Sequence, residues 1–343
     1  MQSYGWIVAT HIVQWASLVL SIPVNLILMG MINLKSPKNI GQYRYLMMSF
    51  SVFCSLYSVL TAFGHPTFIS KGHCFIIFND IDKDSLAAPL RFLLLLTYST
   101  ISGISICLTA VQFIYRYCVI CKPCWICLFA GKRLLHWYLG IFIVMLDWLY
   151  LCIIVARKRP EITDFMRDHV WEQMEIRIDD VEYLGLNFVR INEQGKEEYN
   201  LEAVSLTVHV IVILGSVSCI SFWCGLKTYN RSLHVVRDYD AFTHQIFFAL
   251  IAQTTIPFFF IIIPILTLVC VPLMNINTGV LMFICTMCMS IYPILDPLAV
   301  LFIISNYRKS LVPMLKPNRW RQIVKRKLIN NQITVEVIDV DIL

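Results

Sequence analysis

Charge-free stretches recur along this chain at lengths that a lipid bilayer would impose. The longest, 243–274, has 32 residues without Asp, Glu, Lys or Arg, and holds Gln253, Pro257 and Pro264. The hydrocarbon core of a bilayer needs roughly 20 apolar helical residues, so this stretch spans with a kink or tilt. Each proline removes a backbone donor, and a carbonyl freed in lipid must find another partner. Such a helix has to lie against other helices. Seven windows of spanning length emerge: 6–34, 45–70, 92–115, 134–156, 203–226, 243–274 and 278–305. They predict an all-α membrane protein, a seven-helix bundle over 1–305 followed by a basic tail over 306–343.

Composition agrees. The chain of 343 residues is 58% hydrophobic and only 15% charged, with mean hydropathy +0.68. A soluble chain is about 25% charged. The first residues carry no basic n-region and no small-residue cleavage site, so the first span is expected to direct its own insertion.

Basic residues set the expected orientation. With the N-terminus outside, the interior segments hold 18 Lys and Arg and the exterior ones 10, giving net charges of +13 and −5. The positive-inside bias therefore predicts an exterior N-terminus and an interior C-terminus. Arg157-Lys158-Arg159 dissents, because it falls outside directly after the fourth span. Long loops translocate largely regardless of charge, so the other segments outvote it. The loop 157–202 carries 12 acids against 7 bases. Short alternations at 174–178 and 186–191 could form a hairpin over the bundle mouth; a solvated polar loop is the bland alternative. In the tail, five bases over 319–327 surround Trp320 and Ile323, which suits an anionic inner leaflet.

A few residues carry candidate chemistry. Asp296 and Pro297 coincide in the seventh span, with Pro293 four residues before Pro297. A carboxylate within a span costs about 2.5–3.5 kcal/mol on insertion scales, so an acid beside a helix breaker reads as a polar hinge rather than glue. Asp147, in the fourth span, fits structural glue and a pocket-facing acid equally. Tyr115-Arg116-Tyr117 closes the third span, where the arginine either snorkels to headgroups or makes switchable contacts with neighbouring helix ends. Cys118, Cys121, Cys124 and Cys127 are spaced by three. Pro123 and apolar residues fill the gaps, so reversible palmitoylation or membrane-edge packing ranks above a metal site. Hydroxyls crowd 97–105 in the third span, where most are expected to bond back to their own helix. A ligand pocket is expected in the outer half of the bundle, with Tyr98, Ser102, His209, Phe259, Phe260 and Met282 as candidate walls. No nucleophile elbow, HExxH, P-loop or dinucleotide glycine pattern occurs, so an enzyme is not expected, nor a cofactor or a nucleic-acid partner.

Taken in order, these marks resemble the Str family of nematode serpentine chemoreceptors. They are Asn25; Gly41-x-Tyr43-Arg44-Tyr45-Leu46-Met47; Tyr115-Arg116-Tyr117; Gln253-Thr254-x-x-Pro257 with Pro264; Pro293-x-x-Asp296-Pro297; and Tyr307-Arg308. The resemblance implies a G-protein-coupled, olfactory-type receptor that detects a small environmental molecule. It further implies a place in the ciliary plasma membrane of sensory neurons, with a heterotrimeric G protein as partner. By analogy, Arg116 and Asp296-Pro297 would match the third-span arginine and seventh-span acid/amide–proline switches of rhodopsin-like receptors, and Tyr115, Tyr117, Pro257, Pro264, Tyr307 and Arg308 are the further candidates for activation and G-protein coupling. The chain departs from that wider pattern: no acid precedes Arg116, Val300 stands where a tyrosine would follow Pro297, and span 2 has no acid. The rival from another class is a ligand-gated channel or a small-solute transporter.

Overall fold

The computed structural model describes residues 2–35, 43–81, 84–191, 196–235, 252, 255–276, 279–303 and 307–309. Among these, seven helices are long and apolar enough to cross a membrane. They are α1 (Gln2–Lys35), α2 (Tyr43–Gly64), α3 (Ala88–Cys121), α4 (Leu134–Ile154), α6 (Leu201–Val235), α7 (Thr255–Leu273) and α8 (Leu281–Ile303). The remaining helix, α5 (Pro160–Met174), lies in the long loop. Gln253, Thr254, most of the predicted sixth span before 255, and the basic tail beyond 309 fall outside the described residues.

Two helices run past their predicted ends. The third span, expected to end at 115, continues to Cys121 and stops at Lys122, because the residue before Pro123 is disfavoured in helical backbone. The fifth, expected to end at 226, continues to Val235. Hydropathy marks where lipid ends, and a helix is free to continue into water.

The second span requires a correction. A single helix over 45–70 is predicted, but α2 ends at Gly64 and Pro66–Lys71 is a strand, β1. His65 takes φ 42°, and Pro66 then cannot donate the next helical hydrogen bond. Gly72, with φ 56°, opens the two-residue turn into β2 (Cys74–Asn79). Thr67, Phe68, Ile69 and the Phe-Ile-Ile-Phe run of β2 favour an extended backbone. A buried strand and a buried helix are equally apolar, so hydropathy alone merges them.

The long loop folds over this hairpin. Its strand β3 (Tyr183–Asn187) pairs antiparallel with β2, giving the order β1-β2-β3, and β4 (Val189–Ile191) pairs with β5 (Glu197–Tyr199). The expected strand at 174–178 is absent: Met174 ends α5, Glu175 turns left-handed at φ 58°, and a 3-10 turn follows at Ile178–Asp180.

Side-chain alternation makes the sheet two-faced. Phe68, Phe75, Ile77, Leu184 and Leu186 join the core of the bundle. Ile69, Cys74, Ile76, Phe78 and Tyr183 instead meet Ile162, Met166, Val170 and Met174 of α5. Those α5 residues recur every four positions, the stripe of an amphipathic helix. Ile76 sits opposite Gly185, where a Cβ would come within 2.7 Å of Ile76 Cγ2, so only glycine admits this close pairing. Burial pushes the Cys74 thiol up to about 12, and the residue is a free thiol.

The basic run after α4 anchors this cap. Gly185 N–H donates to Ala156 O at 2.7 Å, and Arg157 bridges to Leu184. Lys158 Nζ donates to Asp179 O and Val181 O, while Arg159 pairs with Glu202 at 3.0 Å. Tyr183 O–H donates to Arg159 O at 2.9 Å. The bundle thus has one end roofed by a sheet and a helix, and an opposite end that carries Arg116.

Candidate functional site

Beneath the sheet lies a cavity of about 160 Å³. Phe68, Phe75, Ile77, Leu184 and Leu186 roof it. Tyr98, Ser102, Ile106, Met145, Trp148, Cys152, Val210, Ile213, Leu268 and Met289 are among its walls, drawn from α3, α4, α6, α7 and α8. Gly103 makes room on α3, since a Cβ there would lie 3.0 Å from Met145 Sδ.

The polar groups of this lining are mostly committed to protein partners. Tyr98 stacks on Tyr57 with ring centres 5.3 Å apart, and their hydroxyls lie 3.1 Å apart. Ser102 donates to Tyr98 O and Trp148 Nε1 donates to Ser99 Oγ at 2.9 Å. Thr97, Thr100 and Ser105 also bond back one turn along α3. What remains is an apolar chamber suited to shape and dispersion rather than to ion pairing.

Of the six predicted pocket residues, the structure brings Tyr98 and Ser102 together on the cavity wall. His209 instead pairs with Asp147 of α4, Nε2 to Oδ2 at 2.7 Å. Phe259 is 55% exposed on the outside of α7. Phe260 is partly buried against the main core, and Met282 is buried on α8 about two turns from Met289, which supplies the wall. Sequence reasoning misses the contribution of α4. Its helix is apolar all round, so periodicity could not mark Met145, Trp148 and Cys152 as inward-facing.

The prolines sit where the bundle needs bends. Pro257 and Pro264 bracket a π-helical turn, Phe258–Ile262, in which Ile263 N–H reaches back five residues to Phe258 O. Such turns recur at functional sites and are a recognised cause of kinks. In α8, Pro297 has no N–H to give to Pro293 O. Asn25 Nδ2 and Ser21 Oγ of α1 supply that carbonyl at 3.2 and 3.4 Å. Ser17 of α1 donates to Ser290 O one turn away. Asn25→Ala is expected to cost about 1–3 kcal/mol, the range for stranding a buried polar group. Thermal unfolding of the purified protein checks this, and an unchanged midpoint would mean that Asn25 does not serve the carbonyl.

At the opposite end, successive residues of the Tyr-Arg-Tyr triplet point in different directions, as 3.6 residues per turn requires. Tyr115 stacks on Tyr43 of α2 at 5.4 Å and meets Phe129 edge-on, and Phe129 stacks on Trp137 of α4. Arg116 is 9% exposed, donates to the Tyr43 hydroxyl, and holds its guanidinium 4.9 Å from that ring's centre. Tyr117 meets Trp223 of α6 at 5.0 Å. The triplet therefore ties α3 to α2 and α6 directly, and to α4 through Phe129. Asp296, 3% exposed, lies near enough for its charge to act on Arg116 and Cys54. Tyr307 is buried among Leu28, Met31 and Ile32 of α1, Met47 of α2 and Val300 of α8. Arg308 donates to Phe302 O at 3.2 Å.

The four cysteines diverge in exposure. Cys118 is buried in α3, Cys121 donates to Lys227 O, and Cys124 and Cys127 are exposed on the 3-10 turn Pro123–Phe129. No cluster of three His, Cys, Asp or Glu side chains suited to a metal occurs among the described residues.

Seven apolar helices among the described residues, five of them walling a roofed cavity, with a buried arginine at the far end, make this a multi-pass membrane protein of the seven-helix type. The chain belongs to the Str family: the model described as "Serpentine type 7TM GPCR chemoreceptor Str" matches residues 10–312. It is 26% identical to Serpentine receptor class r-10 of Caenorhabditis elegans over 314 residues, covering 89% of this chain and 91% of that protein. It is 25% identical to G-protein coupled receptor str-217 of the same organism over 324 residues, 92% of each chain. The protein is thus a receptor of the GPCR type, from a family of receptors rather than of enzymes.

Proposed function

We propose that this chain is a chemosensory GPCR of the plasma membrane, in which a small environmental molecule occupies the apolar cavity and activation is passed to a heterotrimeric G protein. The observation that carries the reading is the cavity itself, closed over by a sheet and reaching all five helices α3, α4, α6, α7 and α8. Ligand held there touches α7 at Ile265 and Leu268, just past the π-helical turn. A ligand shifts an equilibrium only by binding its two states differently, and a bend beside the cavity is a place where the two states can differ. The proline breaks of α7 and α8 and the acid Asp296 then link cavity to Arg116. Tyr115, Arg116, Tyr117, Tyr307 and Arg308 form the coupling end, and Cys124 and Cys127 are the better placed candidates for palmitoylation. The ciliary membrane of sensory neurons is the compartment proposed. The test is a concentration–response screen of volatile and water-soluble cues in a calcium-reporting cell, with cavity variants run beside the native chain.

This reading puts the sheet end and the N-terminus outside, and 306–343 in the cytoplasm. The charge bias supports it, and so does the cap, where Lys158 and Arg159 are engaged by loop carbonyls and by Glu202. A tag before Trp6 is expected to label on intact cells, and one after Leu343 only after permeabilisation. The reverse labelling would sink the orientation and the receptor reading with it.

A further inference from the structure

The roof poses a problem of access. The sheet closes the cavity on the loop side, and α5 covers the back of the sheet with Ile162, Met166 and Val170. A ligand arriving through the loops would have to push both of these packed layers aside. The walls are less uniform. α3 packs extensively on both α4 and α6, whereas α4 and α6 barely touch one another. Among the described residues the seam between α6 and α7 is as sparsely packed, so the chamber has two thin sides, and a polar contact sets the α4–α6 one apart.

One polar contact spans that seam. Asp147 on α4 and His209 on α6 meet at 2.7 Å, with side chains 49% and 40% exposed on the outer surface. Asp147 lies seven residues inside the Ile154 end of α4, about 10 Å deep at 1.5 Å per residue. Ionisable groups at such depth almost always face the bundle interior or a water-filled cavity, so a pair on the lipid side is out of the ordinary. Each member is next to a cavity wall: Trp148 follows Asp147, and Val210 follows His209. Ile213, one turn beyond His209, and Trp148 are both half-buried and line the same chamber. The pair thus stands directly outside the lining, bridging the two helices that flank it.

We infer that the α4–α6 seam is a membrane-side entrance to the cavity, latched by the Asp147–His209 hydrogen bond, and that it admits neutral apolar molecules dissolved in the bilayer. The inference rests on the reading of the cavity as the ligand site. The lining fits that ligand class, because its hydroxyl and indole groups are already bonded within the protein. A charged molecule would find no counter-ion in the walls and would also partition poorly into the approach.

A latch and a ligand contact leave different kinetic signatures. Removing a latch speeds entrance and exit by the same factor and leaves affinity unchanged; removing a contact changes affinity, chiefly through the off-rate. The probe is N-phenylnaphthylamine, a neutral fluorophore, followed by stopped flow with the full chain in nanodiscs. His209→Ala and the milder Asp147→Asn are expected to raise association and dissociation rates together by about three- to tenfold, the range for one interhelical hydrogen bond in a membrane. The exchanged pair Asp147→His/His209→Asp is expected to return both rates toward native values. Ser102→Phe and Val210→Trp, which fill the cavity from two helices, are expected to abolish binding. If the fillers abolish binding while the latch variants leave both rates unchanged, the entrance is wrong and the cavity stands. A latch variant that weakens affinity at an unchanged on-rate would make His209 a ligand contact, and overturn the latch. Binding that survives both fillers would overturn the cavity reading and the entrance with it.

Discussion

Arg116→Ala is expected to abolish agonist-evoked signalling while surface expression and ligand binding stay close to native. Arg116 is held by its hydroxyl partner and ring, Tyr43, and lies within reach of the Asp296 charge. Two roles compete for it. As a tie, it stabilises the resting packing of α2 on α3; as a coupling group, it leaves Tyr43 to meet the G protein. Tyr43→Phe separates them, because it deletes the hydroxyl and spares the guanidinium. A hydrogen bond to a charged group is worth about 1.5–3 kcal/mol, or roughly ten- to 150-fold in an equilibrium. Tyr43→Phe should therefore raise ligand-independent signalling, measured as basal reporter activity, at expression matched to the native chain. If Arg116→Ala raises basal activity instead of silencing the receptor, the arginine is a tie only. If expression and binding collapse together, its role is structural.

The second large effect is expected inside the cavity. Ser102→Phe places a ring in a chamber of about 160 Å³ whose walls are already close-packed. Agonist potency should fall by at least about tenfold, the equivalent of about 1.4 kcal/mol of lost contact. Phe259→Ala, by contrast, alters a side chain 55% exposed on the outer face of α7 and should leave potency within about threefold. The reverse pattern would put the ligand outside this chamber, against α7. Maximal response at saturating agonist separates a binding change from a coupling change, since filler and native chains share the same Arg116 end.

The spans are legible in the sequence because lipid allows few alternatives: apolar stretches of about 20 residues must be helical to satisfy their own backbone. The same rule hides β1, whose Thr, Phe and Ile residues are as apolar as a helix would be and which the expected span 45–70 absorbs. Pro66, two residues past Gly64, is the one local mark that the helix has ended. The loop helix α5 is readable in principle. Pro160 starts it, and Ile162, Met166 and Val170 repeat at helical spacing, though twelve acids in the loop make a solvated polar loop look equally suitable. At the coupling end, the sequence marks Tyr115, Arg116 and Tyr117, but not that Tyr43 and Trp223 receive them. In the cavity it marks Tyr98 and Ser102. The complement of Gly103 and Met145 is a pairing across helices, which no single-helix pattern encodes. Asp147 fits glue and pocket equally by sequence, and it bonds to His209 at the edge of both.

Ligand held in the seven-helix bundle should drive a G protein. Nucleotide exchange measures this with the purified chain in nanodiscs, a purified heterotrimeric G protein, and an agonist found by the cell screen. Agonist is expected to accelerate GDP release in proportion to its potency in cells, and Arg116→Ala to abolish the acceleration without abolishing agonist binding. An agonist-evoked ionic current through the purified chain in a planar bilayer, with no effect on nucleotide exchange, would contradict it and make the protein a ligand-gated channel.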